Sequence, residues 1–179
     1  MNQVKKILAP TDFSENSRAG LKAAFSLAAE TSAELLILHV ADEFQTWEIY
    51  DEQISFRARP HTWVADKIIR EATLDLNNFL ERHREEMRQA PTVRKRVVLG
   101  NAAKMIVDAA REEDIDLIVM SPRPHGSWKR FFLGSVTDRV TREAPCPVLS
   151  VCLPERTRSE RGKKIPIMPM SPRGTEARI

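Results

Sequence analysis

The chain lacks the short signatures that announce most dedicated active sites. It has no Gly-x-Ser-x-Gly elbow, no Gly-Lys-Thr/Ser phosphate loop, and no Gly-x-Gly-x-x-Gly after its first apolar run. Its four histidines, His39, His61, His83 and His125, share no helical face with a Cys, Asp or Glu at ligand spacing, which argues against a metal site. His39 ends an apolar run and reads as hydrogen-bonded structure. Nothing assembles a catalytic triad, so the expectation is a protein that is not an enzyme. No apolar run approaches the roughly 18 residues that span a bilayer. Lys5 and Lys6 precede only a short apolar run with no small-residue cleavage site, which argues against export. The only cysteines, Cys146 and Cys152, stand at either end of one expected strand. Extended, they lie about 20 Å apart, too far for a mutual disulfide. Cys146, wedged between two prolines, reads as packing rather than as a nucleophile, and a reducing cytoplasm fits this usage.

Charge is present but unevenly placed. The sequence pI is near 9.0 and the net charge +3. Residues 153–179 hold seven Lys or Arg against three Glu, so the preceding 152 residues are left at −1. A near-neutral body with a basic tail offers no basic face, which argues against nucleic-acid binding. The tail has four prolines and no apolar period, and is expected to be flexible. The 179 residues therefore divide into one domain, residues 1–152, and a basic, proline-rich extension, residues 153–179.

Within the domain, short apolar runs alternate with helical periodicity. Residues 4–10 read as a strand ended by Pro10, and Thr11, Asp12, Phe13 and Ser14 form a turn with several N-cap candidates. Residues 15–31 repeat Leu21, Ala24, Phe25 and Ala28 on one helical face. Residues 35–40 are apolar nearly throughout, as a parallel strand covered on both faces requires. The rhythm breaks over residues 41–62, where Phe44, Trp47, Tyr50 and Ile54 suit a short amphipathic helix. That stretch is a lid, an interface or an excursion burying its aromatics, the last being favoured. A long helix follows over residues 63–88. Residues 93–99 suit an edge strand, with Arg94, Lys95 and Arg96 discouraging strand-to-strand aggregation. The helix over 101–113 stacks Ala103, Ile106, Val107 and Ala110.

The stretch from Asp116 to Val151 organises the rest. Leu117–Met120 is a short buried strand, and the loop after it carries Arg123, Lys129 and Arg130. Gly134 and Ser135 open a helix that Pro145 and Pro147 stop, and residues 148–151 form a last strand. The first N–H groups of a helix lack internal partners and carry the positive end of its dipole, so this start suits a phosphate. The alternative is an ordinary crossover with a solvated basic loop. Asp12 falls at the same sheet edge, since parallel strands all end on one side. There it either faces a crevice between strands one and four or caps the first helix. The sum is an α/β protein with five parallel strands and four helices.

The segments ILAPTDFS and LGSVTDRVTREAPCPVLSV, with Val119-Met120 before the loop, resemble the universal stress protein family over about the first 152 residues. The resemblance implies a doubly wound sheet in strand order 3-2-1-4-5, Rossmann-like and of the adenine nucleotide alpha hydrolase-like kind. It also implies a homodimer paired through the last strand, between Val148 and Val151, with no membrane partner. Members that bind ATP carry Gly-x2-Gly-x9-Gly-Ser/Thr between strand four and the last helix. Gly134 and Ser135 match that pattern; Ser121 and Pro124 replace the other two glycines. Asp12 and Val40 match positions that contact adenine and its ribose. The implied nucleotide site comprises Pro10, Thr11, Asp12 and Val40 from the first two strands. From the second half it takes Met120, Ser121, Arg123, Gly134, Ser135 and Val136.

The departures have physical consequences. Pro122 and Pro124 have no N–H to offer a phosphate oxygen. A lost charge-assisted hydrogen bond is worth about 1.5–3 kcal/mol, or one to two orders of magnitude in affinity. Side chains at 121 and 124 stand where the backbone should approach the ligand, while Arg123, His125 or Lys129 can supply compensating charge. Two expectations follow. One is a stress-response binding protein with a degraded ATP loop, acting by interaction with other proteins rather than by catalysis. The other is a sensor that holds ATP or AMP, with Mg entering only together with ATP.

Overall fold

Leucine and β-branched runs too short for helices become five parallel strands, and the periodic segments between them become the helices that cover both faces. In the computed structural model, residues 3–41, 61–87, 92–122 and 134–152 are described. The order is β1 (Lys6–Thr11), α1 (Glu15–Thr31), β2 (Glu34–Ala41), α2 (His61–Arg82), a 3-10 turn (Arg84–Met87), β3 (Thr92–Leu99), α3 (Ala102–Glu112), β4 (Leu117–Met120), α4 (Ser135–Glu143) and β5 (Val148–Ser150). The sheet runs β3-β2-β1-β4-β5, all parallel, which is the expected 3-2-1-4-5 order. Among the described residues, no helix is long and apolar enough to cross a membrane.

Side-chain alternation along the strands sorts the core into two layers. Ile7, Ala9, Leu35, Ile37 and Val119 pack with Leu21, Ala24, Phe25 and Ala28 of α1 and with Leu76 and Phe79 of α2. Leu8, Leu36, Leu38, Ile118 and Met120 pack on the other face, with Ala103, Ile106, Val107 and Ala110 of α3 and Val140 of α4. Leu35 to Leu38 are buried without a break, which is why β2 reads as continuously apolar. At the β3 edge the cations alternate as well. Arg94 and Arg96 turn to Glu112 and Glu113 at the end of α3, and Lys95 turns to Asn77 of α2.

Several boundaries move. β1 does not stop at Pro10 but continues to Thr11, because the missing N–H lies beyond the last β1–β4 pair and costs no rung there. The long helix starts at His61 and ends at Arg82, where His83 N–H bonds the Leu80 carbonyl at 3.2 Å and tightens the chain into the 3-10 turn. β5 ends at Ser150, although Val151 N–H still reaches the Met120 carbonyl at 2.8 Å. The aromatic stretch with Phe44, Trp47, Tyr50 and Ile54, the basic loop residues and the tail from 153 onward lie outside the described residues.

Candidate site at the parting of β1 and β4

The two central strands stay paired for only two residues. Ile7 faces Leu117 and Leu8 faces Ile118, after which the ladder stops. β1 continues through Pro10 and Thr11 against Leu38 and His39 of β2, while β4 continues to Met120 against Ser150 of β5. The carboxyl ends of two adjacent strands, with connections leaving to opposite faces, bound the crevice where open α/β sheets bind ligands. Pro10, Thr11, Asp12, Val40, Met120, Ser121, Gly134, Ser135 and Val136 all come to this edge, and Arg123 lies outside the described residues.

The turn after β1 is tightly fixed. Phe13 takes a left-handed φ of 62°, uncommon for a bulky residue, and that turns the chain from strand into helix. Asp12 Oδ1 accepts from Ser14 N at 3.0 Å and from Ser14 Oγ at 2.5 Å. Ser14, rather than Asp12, is the N-cap of α1: its Oγ accepts from Ser17 N at 3.2 Å. Thr11 is turned away from the crevice. Ser17 donates its own hydroxyl proton to the Ser14 carbonyl at 2.9 Å, so Thr11 Oγ1 is the donor in its 3.1 Å contact with Ser17 Oγ. Thr11 therefore offers the crevice backbone only. His39 Nδ1 donates to the Thr11 carbonyl at 2.9 Å and its ring stacks on Phe13 at 4.1 Å, which is the structural role its place in the sequence suggests.

On the opposite side of the crevice, β4 ends at the buried Met120 and Ser121 follows. Ser121 does not crowd the ligand side: its Oγ lies against α1, 3.0 Å from where a Cβ on Gly20 would be. α4 begins at Gly134, which adopts φ 80° and supplies no side-chain cap. The first internal bond of that helix is Asp138 N–H to the Gly134 carbonyl at 2.9 Å, so the N–H groups before it have no acceptor within the helix. Ser135 is exposed beside them and Val136 packs, with Val40, on the α3/α4 layer of the core. Half-buried apolar side chains at Val40 and Val136 over the buried Met120, a carboxylate at Asp12 and the helix start after Gly134 are a set that suits a flat ring, a polar sugar and an anion.

Other chemistry is scarce, and the one thiol packed on the core lies before β5, at the opposite end of the sheet. Cys146 is half-buried against the β4 side of the core, and that burial pushes its thiol up, away from thiolate reactivity. Among the described residues, no three His, Cys, Asp or Glu side chains gather to hold a metal. An open groove of about 800 Å³, lined by Phe25, Leu80, Val93 and Lys95 with their neighbours, lies between α1, α2 and β3 and shares no residue with the crevice. Reading the sequence missed Gly20 altogether. A glycine inside a helix costs about 1 kcal/mol relative to alanine, and that cost was the available signal.

Comparison with known proteins agrees with this architecture. The universal stress protein family model matches residues 3–151. Universal stress protein YxiE of Bacillus subtilis is 33% identical over 147 residues, covering 82% of this chain and 97% of that protein. Universal stress protein MJ0577 of Methanocaldococcus jannaschii is 29% identical over 152 residues, covering 82% of this chain and 94% of its own. The solved structure of MJ0577 superposes with a TM-score of 0.64, covering 86% of this chain and 99% of that one. A universal stress protein from Archaeoglobus fulgidus, solved in complex with dAMP, has the same fold at 20% identity and a TM-score of 0.54, over 84% and 98% of the two chains. With its sheet order, its crevice and a family match spanning nearly the whole domain, this chain belongs to the universal stress protein family.

Proposed function

We propose that this protein is a cytoplasmic adenine-nucleotide-binding protein that works by reversible binding and not by catalysis. The observation that carries this reading is the start of α4. Gly134 gives the first amides of that helix no side-chain cap among the described residues, at the edge where β1 and β4 part and Asp12 stands. A helix start carries about half a positive charge, so an anion is favoured there over water alone. Asp12 suits the hydroxyls of a ribose, and the half-buried Val40 and Val136 suit the faces of a base. That a protein of the same fold holds dAMP supports the ligand class. ATP and AMP are the nucleotides proposed, with Mg entering only alongside ATP. Pro122 and Pro124 subtract phosphate donors, which weights the site toward the nucleoside end. Native mass spectrometry of the purified chain, followed by calorimetric titration with ATP and AMP, tests the reading. Neither a co-purified nucleotide nor measurable binding would overturn it.

A second observation favours an interaction role beside it. β5 is an edge strand and its Leu149 is 41% exposed, an apolar side chain beside a strand edge with no strand neighbour among the described residues. We propose that two copies pair along this strand and that the dimer, with nucleotide bound or absent, is what other proteins recognise.

A further inference from the structure

We propose that Gly20 is a positioning residue of the nucleotide crevice, acting through Ser121 from the opposite side of the β4 exit. This rests on the nucleotide reading above. Gly20 is buried in the interior of α1, where alanine would be the better helix former. Its helical turn leaves no left-handed φ to explain the choice, since Gly100 and Gly134 are the positive-φ glycines among the described residues. The close approach explains it. A Cβ on Gly20 would stand 3.0 Å from Ser121 Oγ, 3.1 Å from Ser121 N and 3.3 Å from the Met120 carbonyl carbon. All three are inside ordinary contact distance, and two are backbone atoms that cannot rotate aside.

Ser121 completes the pair. Its Oγ is buried and has no hydrogen-bond partner among the described residues. What holds it is room: the bare face of α1 at Gly20 accepts the hydroxymethyl group. The side chain is thereby kept out of the crevice, and the chain leaves β4 on a path set by contact with α1. Alanine at 20 would push Ser121 N, and Pro122 after it, toward the ligand side. The same contact makes residue 121 a place where size is limited: serine fits over Gly20, and a larger branched side chain does not.

The test is a set of variants read both by melting and by ATP titration of the folded chain. Gly20→Ala is expected to weaken ATP at least tenfold, and adding Ser121→Gly to recover threefold or more of that loss. Recovery stays incomplete because Ser121 N and the Met120 carbonyl remain in the way. Ala28→Gly, a buried change two turns along α1, is expected to lower the melting temperature and leave ATP affinity unchanged, separating position from mere stability. Wild-type affinity in Gly20→Ala overturns the inference, as does tenfold tightening by Ser121→Gly alone, which would put the serine in the crevice. Should Gly20→Ala fail to fold, Ser121→Val decides: tenfold weaker ATP binding in a folded protein supports the inference, and unchanged binding overturns it. A wild-type chain that binds neither ATP nor AMP overturns the proposed function and this role together, whereas binding insensitive to residue 20 overturns this role alone.

Discussion

Asp12 and Ser14 are bonded twice: one carboxylate oxygen accepts from both the amide and the hydroxyl of Ser14, at 3.0 and 2.5 Å. The same serine hydroxyl oxygen then accepts from Ser17 N and caps α1. The residue proposed to meet the ribose and the residue that starts the first helix are therefore parts of one turn. Ser14→Ala removes the cap and one of the two bonds to Asp12. It is expected to cost about 1 kcal/mol, or roughly 2–4 °C in melting temperature for a chain of this size. Because Asp12 also loses its orientation, AMP affinity should fall in the same variant. Asp12→Ala keeps the cap, so it should lose AMP affinity with the smaller change in melting. Equal melting losses in the two variants would mean that the carboxylate holds the turn as much as the cap does, and that its role is structural.

Glu113 links stability to pH. Its side chain accepts from Arg94 at 2.9 and 3.3 Å, and that hydrogen bond is the main cause holding its carboxyl below the usual value of 4.5, against the opposing effect of burial. A lowered folded value means that the unfolded chain binds the proton more readily. The stabilisation is thus fully present above the unfolded value of about 4.5 and fades as pH falls through the folded one. Arg94 is shifted upward by Glu113 and Glu34 and stays charged throughout this range. Glu113→Gln should melt below the wild type at pH 7, with the gap closing as pH drops beneath 4.5. Both side chains are partly exposed, so high salt should shrink the gap too. A gap that persists undiminished at acid pH would assign the loss to packing.

The dimer expectation turns on Leu149. Lysine there puts a charge on the exposed face of the β5 edge and keeps the strand's backbone intact. Leu149→Lys should shift the sedimentation profile from dimer to monomer at micromolar concentration with little change in melting of the monomer fold. A wild-type chain that already sediments as a monomer would remove β5 as an interface.

Much of this fold was readable because its core elements obey one period each. Leu21, Ala24, Phe25 and Ala28, read as one face of a helix, are all buried, and so are Ala103, Ile106, Val107 and Ala110. Pro10 misled because a proline ends a strand only where a neighbour needs its N–H, and whether β4 is still alongside is a fact of tertiary structure. The turn at Asp12 was legible as a turn, yet the choice of Ser14 as cap depended on the left-handed Phe13 between them. The bond of Thr11 to Ser17, one helical turn into α1, depends on the turn between them and has no signal in the sequence. The Gly20–Ser121 contact joins residues a hundred positions apart, and no local pattern encodes it.

Ser121 rests on α1, so of the two positions where glycine is replaced, Pro124 should carry most of the loss of affinity. A micromolar nucleotide site corresponds to about −8 kcal/mol, and removing one or two phosphate donors at about 1.5–3 kcal/mol each leaves a dissociation constant in the high micromolar range or weaker. Pro124→Gly restores a backbone N–H and removes a ring, and should tighten ATP at least tenfold. AMP should gain less if, as the family pattern implies, the restored donor serves the outer phosphates while Asp12 and Val40 serve the nucleoside end. Adding Ser121→Gly to that variant should bring little more. Calorimetric titration of the three proteins with both nucleotides separates the terms. Submicromolar ATP binding by the unaltered chain would mean that Arg123, His125 or Lys129 supplies the charge in place of the missing amides. Equal gains for ATP and AMP would mean that the substitution acts on the shape of the crevice and not on its phosphate end.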